Sequence, residues 1–305
     1  MMKFLIFASL LLAVASAARP LDETLAGTPT DLRWKVTFEE TWSNTALPNW
    51  IIDVGTQYPG GSPQFGTGEV ERITPANIAV TPDQTLAITP VLGPDGTWTS
   101  GRLESVPEFQ CLPGGKLRVQ ALMKVGDGPE SQQQGIWPAF WALGAQFRGN
   151  YQNWPMVSEW DFFEAINGIP TMYTTLHCGV APGGPCNEDT GIQGKTPFTP
   201  GKFHKVSFIV DRSMSGPGQS GTWLDETLTW YLDEVLVFTV SGAMVNDEQA
   251  WEQVAHQPHF LLLDVAVGGS FPNAIAGGQT PTAATIGGAS AAMEVFDLFV
   301  FNWAP

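Results

Sequence analysis

The chain has a small fraction of charged residues, few basic residues and no hydrophobic run long enough to cross a membrane. Charged residues make up 14% of its 305 residues, and 30 acidic residues stand against 14 basic ones. The net charge of −16 repels polyanions, so nucleic acids and anionic membranes are poor partners. No segment after the N-terminal region reaches the length of a transmembrane helix.

Cysteine is also scarce, since the chain has only three and they cannot all pair. Cys178 and Cys186 flank the turn-rich stretch GVAPGGP, which can fold back as a hairpin loop and join them as a disulfide in an oxidising compartment. We then expect Cys111 to be a buried free thiol. Zinc, the alternative for these cysteines, needs more Cys or His ligands at short spacing than the sequence offers.

The N-terminus has the layout of a secretory signal peptide. A lysine precedes an apolar run from Phe4 to Val14, and small residues follow it. We expect cleavage after Ala17 or Ala18, so that residues 1–18 are the signal peptide and residues 19–305 form one domain. The mature protein is expected to be secreted, extracellular, soluble and, by default, monomeric.

Short segments rich in β-branched and aromatic residues make up most of the chain from Trp34 onward, with Gly, Pro, Asn and Asp between them. Many short strands separated by turns predict an antiparallel sandwich or barrel. Residues 246–256 predict one helix, capped by Asn246 or Asp247. The Gly-, Ala- and Thr-rich residues 267–292 are expected to form a long loop within the domain, because a strand-like segment follows them.

Three acids lie in the strand-like segment SEWDFFE. Alternation places Glu159 and Asp161 on one face of a strand and would put Glu164 among aromatic side chains on the other. An unpaired glutamate is costly in that position, and a β-bulge between Asp161 and Glu164 would return it to the face of the other two acids. The segment alone also fits an ordinary half-exposed strand, in which polar and aromatic residues alternate.

Three acids along one groove suit the hydrolysis of glycosidic bonds. A retaining glycosidase needs two carboxyls roughly 5 Å apart, one as nucleophile and one as proton donor. Repulsion between close acids raises the pKa of one and keeps it protonated.

Aromatic residues surround these acids in the sequence. Tryptophans precede them in GIWPAFWALG and NWP, and a histidine follows in TMYTTLHCG. Aromatic rings stack on the apolar faces of sugar rings, and 12 tryptophans with little charge suit a neutral, amphipathic partner such as a sugar polymer. Tryptophans also fill β-sheet cores, which is the alternative for any one of them.

The ordered series GIWPAFWALG, NWP, EWDFFE and TLHCG resembles glycoside hydrolase family 16, in its laminarinase-like branch. TSGRLES, FHKVSFIVD, LTWYLDE and VAVGGSFPN extend the resemblance over nearly the whole mature chain. The resemblance implies an all-β fold, a concanavalin A-like jelly-roll sandwich of two curved antiparallel sheets, here with one short helix. It also implies a concave cleft that holds a β-glucan chain.

The resemblance implies a role for each acid and for five other residues. Glu159 matches the nucleophile, Glu164 the acid/base and Asp161 an assisting residue. The residues that match substrate-binding positions are Trp154, Trp137, Trp141, His177 and Arg102, and one of Trp137 and Trp141 is expected to face the core. The family pattern around the acids is altered at Ser158, Trp160 and Phe162, and a turn is altered at Glu234, which stands where many relatives have glycine. These changes leave the substrate preference open.

The leading hypothesis is retaining endo-hydrolysis of β-1,3- or mixed 1,3/1,4-β-glucan through a covalent glycosyl-enzyme intermediate. The alternatives are a β-glucan transglycosylase, which uses the same intermediate, and a non-catalytic glucan-binding protein, which would be expected to lose at least one acid. No metal or cofactor is required. Some relatives hold a structural calcium ion, but no dense oxygen-ligand motif supports one here.

Overall fold

The structure, a computed structural model, describes residues 33–303. The signal peptide predicted for residues 1–18 lies outside the described residues, and the bounds of the predicted domain stay a prediction. Within residues 33–303, no helix is long and apolar enough to span a bilayer.

Strands dominate the described part of the chain. Their bounds are β1 Trp34–Glu40, β2 Trp50–Ile52, β3 Arg72–Ile73, β4 Ile78–Val80, β5 Leu86–Ile88, β6 Val91–Leu92, β7 Trp98–Ser100, β8 Arg102–Ser105, β9 Lys116–Val125, β10 Ile136–Gly144, β11 Glu159–Glu164, β12 Thr171–His177, β13 Ile192–Pro197, β14 His204–Asp211, β15 Thr227–Leu232, β16 Val235–Ser241, β17 His259–Val267 and β18 Met293–Trp303.

Two large sheets and one small sheet are built from these strands. The β9 sheet has the order β16-β15-β14-β9-β18-β5-β4, with β1 also paired to β18. The β11 sheet has the order β13-β12-β11-β10-β17-β8-β2, and β3, β7 and β6 form the small sheet. All strand pairs in the two large sheets are antiparallel, which confirms the predicted all-β sandwich.

The helices are short: α1 Gly242–Val245, α2 Glu248–Trp251 and α3 Ser270–Ala276. The predicted helix corresponds to α2 and a π-helical turn that continues it through Glu252–His256. Asp247, one of the two candidate caps, accepts a hydrogen bond from the Ala250 N–H. The expectation of one short helix is therefore corrected, because residues 33–303 contain three.

The third helix, α3, forms where a long loop was expected. Gly269 and Gly277 bound it with φ angles of 101° and 66°, which residues other than glycine rarely adopt. Gly277 ends the helix in the left-handed conformation. A helix of seven residues is too short to show a helical hydrophobic period, so the sequence pattern did not reveal it.

Aromatic side chains join the two large sheets directly behind the acid strand. Phe208 of β14 lies 5.0 Å from Trp160 and 4.9 Å from Phe162 of β11, measured between ring centroids. Trp230 of β15 packs on Phe208 and donates its indole N–H to the carbonyl oxygen of Asp161 at 2.8 Å. Truncation of one such core ring to alanine lowers the free energy of unfolding by about 3–5 kcal/mol. The strand that carries the acids is therefore firmly packed on its core side.

The cysteines are arranged as predicted. Cys178 and Cys186 form a disulfide across the short turn-rich loop. Cys111 is buried and unpaired, and burial raises the pKa of its thiol to about 12. The disulfide lies directly after β12 and ties down the loop that follows this strand.

Candidate active site

A β-bulge in β11 sets the direction of its acids. Opposite β12, Asp161 pairs with Thr175 and Glu164 pairs with Tyr173, so two residues of β11 face one residue of β12. The register towards β10 shifts at the same place. The bulge predicted between Asp161 and Glu164 is confirmed.

The two phenylalanines in the bulge are both buried, on different partners. The Phe162 ring lies 4.7 Å from Phe140 in the core between the sheets. The Phe163 ring lies 5.2 Å from Phe198, edge to face. Because the extra residue finds its own apolar partner, Glu164 is free to point towards the face that carries Glu159.

Each glutamate accepts a hydrogen bond from an indole. Trp154 donates its Nε1–H to Oε2 of Glu159 at 3.1 Å. Trp137 donates its Nε1–H to Oε1 of Glu164 at 2.9 Å. The sequence predicted these tryptophans as sugar-binding residues, and that role stays a prediction, but the structure shows them in a second role as donors to the acids.

Burial dominates the electrostatics of the acids. It raises the pKa of Glu159 to about 7 against the charge of His177, and it raises the pKa of Glu164 to about 7 against the hydrogen bond from Trp137. The pKa of Asp161 is raised well above its ordinary value by burial and then by the charges of both glutamates. Repulsion between the acids, the expected cause, therefore contributes less than the removal of water.

His177 lies directly beside these acids, as predicted. Its Nε2 is 3.5 Å from Oδ2 of Asp161 and 3.9 Å from Oε1 of Glu159, and its ring lies 5.4 Å from Trp154. Its Nδ1 is 2.7 Å from Oε2 of Glu188. Burial lowers the pKa of His177, but the hydrogen bond to Glu188 and the nearby carboxylates outweigh burial and raise it.

The other two predicted site residues belong to a buried network beside the acids. The Arg102 guanidinium lies 4.8 Å above the Trp141 ring, and its Nε is 3.3 Å from Oδ2 of Asp53. Trp141 donates its Nε1–H to Asp264 at 2.6 Å, and Arg102 donates to the Tyr58 hydroxyl at 3.0 Å. Arg102 is only 4% exposed, yet its charge opposes the rise in pKa that burial causes at Glu159.

Several acidic residues of this region were missed by sequence reasoning. The carboxyl groups of Glu69 and Asp264 interact electrostatically with Arg102 and favour its charged form. Burial raises the pKa of Glu69 to about 7. Glu71 accepts a hydrogen bond from the Val267 N–H. A lone aspartate inside the apolar segment LLLDVAV was a usable signal for Asp264, because an acid in a buried strand needs a partner.

Oxygens of Glu159 and Asp161 and a ring nitrogen of His177 lie within 4.8 Å of one another. Three protein ligands are the number found in catalytic zinc sites, where water takes the fourth position. All three side chains already take part in the acid network described above, which accounts for their closeness without an ion.

The sequence matches no protein-family model and no curated protein. Solved structures do match. An endo-1,3-β-glucanase from Streptomyces sioyaensis is 38% identical, with a TM-score of 0.82, and the match covers 90% of this chain and 98% of that one.

More distant structures share the fold. An endo-β-1,3-glucanase from Pyrococcus furiosus is 24% identical over 89% of this chain and 95% of that one, with a TM-score of 0.65. A LamA variant from Z. galactanivorans, solved with laminaritriose and laminaritetraose, is 24% identical over 88% and 98%, with a TM-score of 0.60. The identity and coverage of the Streptomyces match, together with the fold and the acid strand, place this chain in glycoside hydrolase family 16, in its laminarinase-like branch.

Proposed function

We propose that the protein is a secreted, retaining endo-β-glucanase that hydrolyses β-1,3-glucan or mixed 1,3/1,4-β-glucan. The observation that carries the proposal is the bulge of β11, which brings Glu159 and Glu164 to one face, each with an indole N–H donor and a pKa near 7. The endo-1,3-β-glucanase from Streptomyces sioyaensis supports the choice of substrate.

In the first step, the Glu159 carboxylate attacks the anomeric carbon and Glu164 gives its proton to the glycosidic oxygen. The bond between that carbon and oxygen breaks, the leaving chain departs with a free hydroxyl, and an ester joins the sugar to Glu159. A pKa near 7 on both groups means that the pair with one glutamate ionised and the other protonated is most populated near neutral pH.

In the second step, Glu164 as a carboxylate takes a proton from water, and the water oxygen attacks the anomeric carbon. The ester bond breaks and Glu159 leaves as a carboxylate, which restores the starting state. Asp161 keeps its proton because its pKa is raised, so it adds no negative charge beside the nucleophile. Two inversions at one carbon retain the β configuration.

The test is a digest of laminarin, lichenan, barley glucan, xyloglucan and agarose, with the anomeric form of the first product followed by NMR. We expect activity on laminarin or the mixed-linkage glucans and a β-configured first product. A product that is α-configured at first contradicts the retaining mechanism, and inactivity on every β-glucan contradicts the function. Chains longer than the substrate would show that a sugar hydroxyl takes the place of water.

Substitution of the acids tests their roles. Glu159→Gln and Glu164→Gln should each lower kcat by about 10⁴-fold or more, because the two groups act as a unit. The matched control is Glu39→Gln, an equal change at an exposed acid of β1, which should leave kcat unchanged. Full activity of Glu159→Gln would rule out its role as nucleophile.

We also propose that the reaction needs no metal ion, because two carboxyls supply both the nucleophile and the proton. Prolonged dialysis against EDTA should leave kcat and KM on laminarin unchanged. Loss of activity that returns with added calcium or another divalent cation would overturn this.

Export through the N-terminal segment fits the Cys178–Cys186 disulfide, since disulfides persist in oxidising compartments. N-terminal sequencing of the protein from culture medium should begin directly after Ala17 or Ala18. Retention of Met1 in the exported protein would contradict the proposal. Sedimentation of the purified protein tests the expectation of a monomer.

A further inference from the structure

We propose that Glu188 is a positioning residue whose carboxylate holds the His177 ring so that its Nε2 faces Glu159 and Asp161. The inference rests on the proposed role of Glu159 as nucleophile. It concerns a residue outside the acid strand, in the loop that follows β12.

Each carboxylate oxygen of Glu188 has its own hydrogen-bond donor. Oε2 lies 2.7 Å from Nδ1 of His177, and Oε1 accepts the backbone N–H of Cys178 at 2.8 Å. The Glu188 side chain is fully buried, with 0% exposure, so it does not itself reach a substrate. Because a carboxylate oxygen only accepts, this contact keeps a proton on Nδ1 and fixes which nitrogen meets the acids.

The loop around Glu188 is built to hold it there. The disulfide between Cys178 and Cys186 closes the loop, and the backbone of Glu188 pairs with Gly183 inside it. A side chain at Gly191 would begin 2.9 Å from Cε1 of His177, so only glycine lets the chain pass over this ring. The position of the ring is thus determined by the loop as well as by β12.

The charges around His177 give the arrangement a chemical effect. Glu159, Glu164 and the protonated Asp161 of β11 face the ring from one side, and Glu188 faces it from the other. The negative charge of Glu188 favours the protonated ring. A protonated ring lowers the pKa of Glu159 by more than the charge of Glu188 itself raises it, so the pair favours ionised Glu159. Ionised Glu159 is the form that attacks the sugar and the form that leaves in the second step.

The test compares kcat and KM on laminarin for Glu188→Gln, His177→Gln and the double variant. Glu188→Gln should lower kcat by roughly 10- to 100-fold with little change in KM, the scale of loss when the partner that orients a functional histidine is removed. If Glu188 acts through His177, Glu188→Gln should cost nothing further in the His177→Gln background. A loss that adds to that of His177→Gln, or kcat equal to wild type, overturns the proposal.

The matched control is Asp189→Asn, which removes one negative charge from the neighbouring, exposed position of the same loop. It should keep wild-type kcat, and an equal loss there would show that any charge change in this loop suffices. Wild-type inactivity on all glucans would instead count against the proposed function alone.

A measurement on the unaltered enzyme keeps the inference testable if Glu188→Gln fails to fold. The chain has only four histidines, so the ¹⁵N signals of His177 are identified by their loss in His177→Gln. Nδ1 of His177 should carry a proton at about pH 8 as well as in acid. An unprotonated Nδ1 at that pH overturns the proposal.

Discussion

Each of the two glutamates accepts one indole N–H, and each indole comes from a different part of the chain. Trp154, in the loop before β11, donates to Glu159, and Trp137, in β10, donates to Glu164. In both cases burial raises the pKa of the carboxyl, and the hydrogen bond from the indole limits that rise. The two tryptophans therefore offer independent control over the two acids.

Trp137→Phe removes the donor to Glu164 and should raise the pKa of this acid above about 7. Since Glu164 must be protonated in the first step, the alkaline limb of the kcat/KM profile should move to higher pH by about one pH unit. The measurement is kcat/KM on laminarin across the pH range. Trp223→Phe, a tryptophan in a turn before β15, is the control and should leave both limbs in place.

Trp154→Phe should act on the opposite limb. Loss of its N–H raises the pKa of Glu159, which must be ionised to attack, so the acid limb should move to higher pH by about one pH unit. The same substrate and pH series measure it. If Trp154→Phe moves the alkaline limb and Trp137→Phe the acid limb, the roles of the two glutamates are reversed.

At the scale of elements, β11 packs one face firmly against the core, and its β-bulge directs the acids to the opposite face. Hydrogen bonds to β10 on one side and β12 on the other hold its backbone, so the extra residue cannot slip to another position. The aromatic rings behind the strand fill the space between the sheets. The acids are therefore placed by the sheet rather than by a loop, which is the more precise arrangement for a catalytic group.

The disulfide loop after β12 is the second element that shapes the site. Replacing both Cys178 and Cys186 by serine should lower the free energy of unfolding by about 2–3 kcal/mol, as expected for a short closed loop. It should also lower kcat, because Glu188 loses the closed loop that holds it against His177. Urea unfolding and laminarin kinetics measure the two effects.

Treating that double variant with a reductant should change neither quantity further, since Cys111 is buried and unpaired. A double variant with wild-type kcat would show that the loop keeps its shape without the disulfide.

At the scale of the whole molecule, the buried acids should place the maximum of stability below neutral pH. Burial raises the pKa of Glu159, Glu164, Asp53 and Glu69 to about 7. The stability that these four groups contribute to the folded state is fully present below the ordinary carboxyl pKa. It is lost as the pH rises through about 7, because the same groups ionise at a lower pH in the unfolded chain than in the folded protein.

Glu226 limits stability on the acid side. Burial opposes its ionisation, but hydrogen bonds from His256, Ser215, Trp251 and Arg212 outweigh burial and lower its pKa to about 2. The stability that ionised Glu226 contributes to the folded state is present above the ordinary carboxyl pKa and is lost as the pH falls through about 2. Both effects together leave a window of highest stability in mildly acidic solution.

We therefore expect Tm to be higher at about pH 5 than at about pH 8 by about 5 °C or more. Calorimetry over the pH range measures it. Repeating the series at high salt screens repulsion among the surface charges of this acidic chain, whereas the buried groups are screened much less. A Tm that is highest near pH 8 would contradict the raised pKa values.

The sequence by itself determined the features that depend on neighbouring residues. Alternation and turn residues indicated an antiparallel sandwich, and the high cost of burying Glu164 unpaired indicated the bulge. The short turn-rich stretch between Cys178 and Cys186 indicated the disulfide. Each of these follows from local geometry, which a linear pattern records.

Tertiary structure alone decided the partners of the acids. Asp264 reaches Trp141 from another strand, Glu188 reaches His177 through the fold of its loop, and no sequence spacing predicts such contacts. The size of the pKa shifts was likewise hidden, because burial, their largest cause, depends on what the rest of the chain packs around a side chain. Electrostatic energies depend on distances and water exclusion in space, and these exist only once the two sheets have come together.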